Sequence, residues 1–152
     1  MLEILHEDNH LIAVNKRSGD IVQGDKTGDT PLSDHVKKYI KDKHKKPGKV
    51  FLGTIHRLDR PTCGVVIFAK TSKALSRMNK LFKNKNIQKT YWAVVENAPP
   101  CKSGNIEDFL MKNTKQNKSY ISNHLIGKRS SLSYRTLKKL DNFYLLEIKP
   151  KT

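Results

Sequence analysis

Apolar residues in this chain occur only in short runs, none longer than the five positions of Val65–Ala69. Leu11–Val14, Val65–Ala69 and Tyr91–Val95 are rich in Val, Ile and aromatic side chains, which fit a pleated, part-buried surface. No run approaches the ~20 apolar residues that cross a bilayer. The architecture is therefore expected to be built from many short strands, with helices only where a 3.6-residue period replaces them.

Two segments show that period. Thr30-Pro31 reads as an N-cap followed by proline at the first helical position, and Leu32, Val36, Tyr39 and Ile40 share the following apolar face. The opposite face is nearly all lysine, and Pro47-Gly48 should end the helix. These lysines suit either a solvated face or contact with RNA. Thr71 or Ser72 should cap a second helix with Leu75, Met78, Leu81 and Phe82 as a core stripe. Strands are expected at Leu2–Leu5, Leu11–Val14, Gly64–Lys70 and Tyr91–Val95, with weaker candidates at Asn105–Leu110 and Ser119–Ser122. A hairpin is expected from Leu132–Leu137 and Phe143–Ile148. Gly19, Gly24 and Gly28, interleaved with Asp and Thr, mark a loop.

These elements predict an α+β fold, a mixed, mainly antiparallel sheet with helices packed on one side and the other side free for nucleic acid. At 152 residues, one domain spanning 1–152 is expected.

Charge narrows the function. Lys and Arg number 30 against 14 Asp and Glu, a formal net charge of +16. Such an excess favours a polyanionic partner, because each neutralised phosphate releases condensed counterions. RNA is the expected partner, and DNA ranks lower because no helix-turn-helix or zinc-finger pattern is present. No lipidation signal or basic amphipathic helix with an aromatic face points to membranes, and the acidic start MLEILHEDNH is unlike a signal peptide. A cytoplasmic location is expected. Cys63 and Cys101 are isolated and the six histidines scattered, so neither a disulfide framework nor a metal site is expected. The sequence does not specify an oligomeric state.

Against this basic background one acid stands out. In His56-Arg57-Leu58-Asp59-Arg60-Pro61-Thr62-Cys63-Gly64, a carboxylate sits between two arginines just ahead of the apolar run Val65–Ala69. Asp59 could be a loop-ending acid that accepts backbone N–H bonds, or a working carboxylate kept ionised by Arg57 or Arg60.

The stretch HRLDRPTCGVVIFAKTSKAL at 56–75 resembles the RluA-type family of RNA pseudouridine synthases, whose pattern is HRLD, Thr, a small residue and Gly, then a strand ending in AK and a helix. KTYWAVV at 89–95 is similar to the family's K-x-Tyr segment, and EDNHLIAVNKRSG at 7–19 to its entry strand and Lys-x-x-Gly turn. The resemblance covers essentially the whole chain in the right order. It implies the synthase catalytic fold, no cofactor, and conversion of specific uridines in rRNA or tRNA to pseudouridine. It also implies Asp59 as the catalytic carboxylate, with Arg57, Tyr91, His56 and Arg60 around the substrate. Arg57 would fill the space left by an extruded nucleotide, and Tyr91 would stack on the flipped uracil, leaving Trp92, on the opposite strand face, to the core.

Three departures accompany the likeness. Arg17 stands where the family often has Pro, and Cys63 where Ser is common. After Thr152 the family continues into a Gly-Arg-x-His-Gln-Ile-Arg segment, whose first arginine would pair with the aspartate. The resemblance therefore implies a catalytic domain lacking its C-terminal strands, with an incomplete site, weak or no turnover alone and an exposed sheet edge prone to self-association. The rival expectation is a non-catalytic basic RNA-binding or ribosome-associated module, which has no need of Asp59.

Overall fold

A computed structural model describes residues 2–152. They form two compact units, one running to Asn84 and the other Lys85–Thr152. The α+β class holds, but the strands divide between two sheets. Period-two patterns show which residues share a strand face, not which strands pair.

In the first unit, β1 (Glu3–Glu7), β2 (Leu11–Lys16), β3 (Gly53–Thr54) and β4 (Gly64–Ala69) form an antiparallel sheet in the order β1-β2-β4-β3. The β1–β2 turn is closed by Asp8, whose carboxylate accepts from the amides of Leu11 and His10 at 2.6 and 2.7 Å. The Leu11 amide, seconded by that of His10, holds its pKa down at about 2.

Register places Ile12 opposite Phe68 and Val14 opposite Val66. All four are fully buried, and they meet Leu32, Val36 and Ile40 of α1 (Leu32–Lys43). Each such side chain contributes about 1.5–3 kcal/mol of burial. The cap of α1 falls on Pro31 rather than Thr30, and no side chain caps it. The amides of Leu32 and Ser33 instead donate to the carbonyls of Ile21 and Val22, so tertiary partners replace the expected local cap.

The C-terminus of α1 comes earlier than Pro47-Gly48 would set it. Lys46 N–H donates to Lys41 C=O and Lys45 N–H to Asp42 C=O, with Lys45 at φ 47°. This is a Schellman closure with lysine in the left-handed position that glycine usually fills.

The far end of the sheet is tied by Glu7. Its carboxylate receives Lys70 at 2.6 Å, Lys43 and His44 at 2.9 Å, and the Tyr39 hydroxyl at 3.1 Å. Burial pushes its pKa up, but the combined hydrogen bonds from Lys43, Lys70, His44 and Tyr39 hold it well below the usual glutamate range.

Helix α2 (Ser72–Lys83) is capped by the Thr71 hydroxyl, which accepts from Ala74 N–H at 3.1 Å. It covers the face opposite α1. Gly53 and Ala69 are register partners, alternating away from Phe68, and a Cβ on Gly53 would fall 2.7 Å from Leu75 Cδ2. The helices thus flank both faces of this sheet, correcting the one-sided expectation. A continuous apolar strand such as Val65–Ala69 needs cover on both sides. The α2 stripe is only half-buried, with Leu81 exposed.

The second unit is a five-stranded antiparallel sheet in the order β5-β9-β8-β6-β7, from β5 (Tyr91–Val95), β6 (Ser103–Asn113), β7 (Lys118–Ser122), β8 (Lys128–Lys139) and β9 (Tyr144–Pro150). Register puts Tyr91 opposite Ile148, and Ile148 opposite Tyr134, so these residues share a face with Leu146. Tyr134 and Leu146 are buried there. Trp92 is on the other face and 72 % exposed, which overturns its assignment to the core. Alternation separates Tyr91 from Trp92 but does not say which side is covered.

Candidate active site

Four of the five residues that the family resemblance marks, His56, Arg57, Asp59 and Arg60, lie on the loop between β3 and β4. Tyr91 is half-buried on β5 of the second unit.

The loop is held from below by a residue that motif reading passes over. Lys16, at the end of β2, is fully buried, and its ammonium donates to the carbonyls of Thr62 at 2.6 Å and of Arg17 and Arg60 at 3.0 Å. Burial pushes its pKa down, while Coulombic attraction from Asp20, Cys63 and Asp59 opposes the shift. Its signal in the sequence was its place in the Lys-x-x-Gly turn. That turn adds two more ties, Gly19 N–H to Arg60 C=O and Ser18 hydroxyl to Pro61 C=O, both at 2.9 Å. Gly19 at φ 94° and Gly64 at φ 130° adopt backbone conformations that other residues rarely reach, which explains a glycine at each end of this arrangement.

Asp59 closes a turn through its backbone, its carbonyl accepting from Thr62 N–H at 3.0 Å. Its side chain is exposed, and among the described residues its carboxylate accepts no hydrogen bond and forms no ion pair. A loop-ending acid would spend that carboxylate on backbone amides. This one is presented to solvent on a fixed backbone, with the buried Lys16 cation within electrostatic range.

The neighbours have distinct tasks. Arg60 pairs with Asp29 and reaches the Thr27 hydroxyl at 3.4 Å, so it fastens the loop to the preceding segment. Arg57 is exposed. His56 Nε2 accepts the Ile67 N–H at 3.1 Å, and its ring stacks on Phe82 at 5.1 Å with an interplanar angle of 21°. Since β3 pairs with β4 only through Gly53 and Thr54, the imidazole takes over the amide where the strand partner has peeled away. His56 therefore sets the path of the loop toward Asp59. An accepting nitrogen here must be unprotonated.

Among the described residues no group of His, Cys, Asp and Glu could hold a metal ion, and no helix is long and apolar enough to cross a membrane.

The fold is that of the pseudouridylate synthases: human RNA pseudouridylate synthase domain containing 4 superposes with a TM-score of 0.82 at 23% identity, covering 99% of this chain and 59% of that one. A second human protein, RNA pseudouridylate synthase domain containing 1, gives 0.77 at 19% identity, covering 100% of this chain and 60% of that one. The sequence makes the particular assignment. Residues 10–152 match the RNA pseudouridylate synthase family, and the chain belongs to that family, in its RluA-type branch. It is 34% identical over 152 residues to the ribosomal large subunit pseudouridine synthase C of Buchnera aphidicola subsp. Acyrthosiphon pisum, covering 98% of this chain and 46% of the relative. It is 28% identical to the tRNA pseudouridine synthase C of Vibrio cholerae, covering 65% of that protein. The chain thus spans about half the length of the Buchnera relative.

Proposed function

We propose that this protein isomerises uridine to pseudouridine in ribosomal or transfer RNA, with Asp59 as the catalytic carboxylate. The observation that carries this reading is the exposed, unpaired Asp59 side chain on a backbone pinned by Lys16.

The reaction breaks the bond from uracil N1 to ribose C1′ and forms one from uracil C5 to C1′. The proton displaced from C5 is balanced by the one gained at N1, so no atoms enter or leave overall and no oxidant, reductant or group donor takes part. An ionised carboxylate can start the change by attacking C1′ or by taking a proton from the ribose. A stacked uridine hides its sugar, so the nucleotide must be turned out of the helix to meet Asp59. Arg57, exposed two residues away, is suited to occupy the vacated space. Tyr91 is assigned to the flipped base by its place in the K-x-Tyr segment, and Arg60 supports the loop beside the substrate.

Pseudouridine mapping in rRNA and tRNA tests the proposal, using cells that lack the gene and are complemented with wild type or Asp59→Asn. At least one uridine should convert with wild type and stay unmodified with the variant. Identical maps would refute it and leave a basic RNA-binding module, which keeps its role without a carboxylate at this position.

A further inference from the structure

The lysines of α1 form more than a solvated face. The Schellman closure at Lys45 turns the chain back, and Lys37, Lys38 and Lys41 line, together with Pro47, Gly48, Lys49 and Val50, an open groove of about 430 Å³. Lys37 and Lys41 are one turn apart, and Lys38 and Lys41 nearly so, so the charges fall in rows along one side. Lys37 is partly neutralised by Asp34 at 3.0 Å. Among the described residues no carboxylate pairs with Lys38, Lys41 or Lys49, all exposed. Concentrating unpaired cations is unfavourable in the free protein, and a polyanion relieves it.

The groove is separate from the Asp59 loop. The start of α1 bonds Ile21 and Val22, just past the turn that ties that loop, while its end bonds Glu7 at the far end of the sheet. Lys38 and Lys41 lie about 9 and 14 Å along the axis from Leu32, at 1.5 Å per residue. RNA held at the active loop would have to continue along this flank to reach them.

We infer that the groove between α1 and the 47–50 loop binds the phosphate backbone of an RNA duplex flanking the target nucleotide. The inference rests on RNA being the substrate, as proposed for Asp59. Lysines suit this task because A-form RNA is recognised mainly through its shape and phosphates.

The test compares wild type with two triple variants that lose equal charge: Lys38→Gln, Lys41→Gln and Lys49→Gln in the groove, and Lys73→Gln, Lys80→Gln and Lys83→Gln on α2, across the sheet. Fluorescence anisotropy with a labelled 20-base-pair RNA hairpin over 50–300 mM KCl gives the slope of log affinity against log salt. The groove variant should lower its magnitude by about 2.7, at ~0.9 for each phosphate no longer neutralised, and the α2 variant by less than about 1. Equal losses would reduce the effect to net charge and overturn the inference, as would an unchanged groove slope. In wild type, the hairpin should protect Lys38, Lys41 and Lys49 from an amine-reactive reagent more than Lys73, Lys80 and Lys83. Equal protection overturns the inference even if a variant misfolds. Binding of phosphatidylserine vesicles through these lysines, with the RNA slope unmoved, would likewise overturn it. The binding measurements do not use turnover, so a failure of the Asp59 mapping experiment remains distinguishable.

Discussion

Lys16→Met is the most informative single change, because it keeps the buried stem and removes the ammonium that holds the loop. Three carbonyls, of Arg17, Arg60 and Thr62, lose a charged donor. Hydrogen bonds to charged groups contribute about 1.5–3 kcal/mol each. The desolvation of the ammonium, several kcal/mol, is relieved at the same time. The net loss should be about 2–4 kcal/mol. For a cooperative unit of 60–100 residues that corresponds to a fall in Tm of roughly 10–30 °C. Calorimetry reads the global effect, and hydrogen exchange at the Gly19 and Thr62 amides, which donate to the loop's own carbonyls, reads the local one. A Tm shift under about 2 °C with unchanged exchange at both amides would refute the claim that Lys16 supports the Asp59 loop.

Three further outcomes are expected from the same bonding pattern. Glu7 has a depressed folded pKa, so the stability it contributes is present above its ordinary value near 4.5 and is lost as pH falls below it. Glu7→Gln should therefore lower stability near neutral pH by about 1–3 kcal/mol, since Lys43 and His44 stay half-exposed and only Lys70 is largely covered, and flatten the acid limb of a Tm-against-pH curve. A parallel acid limb would contradict the assignment. His56→Ala leaves the Ile67 amide without its acceptor and removes the Phe82 stack, which should cost about 2 kcal/mol in urea unfolding, and a loss below 0.5 kcal/mol would count against the bracing role. Lys45→Gly should raise stability by about 0.5–1 kcal/mol in the same assay, since glycine meets no penalty at φ 47°.

Local chemistry was legible from the chain itself. The runs Leu11–Val14, Val65–Ala69 and Tyr91–Val95 became strands, the Leu32, Val36, Ile40 spacing became the buried face of α1, and Thr71 became a cap, because each depends on neighbours within a turn or a pleat. The HRLD stretch pointed to Asp59 through its family resemblance and not through local periodicity, and the residue's role is the proposal made above. Tertiary structure alone decided matters that depend on distant partners. Strand pairing split the β structure into two sheets, and packing left Trp92 exposed where alternation allowed either side. Arg60 went to Asp29 rather than Asp59, His56 to the Ile67 amide, and Lys16 beneath the loop to two carbonyls of the distant 60–62 segment. A side chain's type and spacing restrict what it can bond, but which donor meets which acceptor is settled only when segments far apart in the chain are brought together.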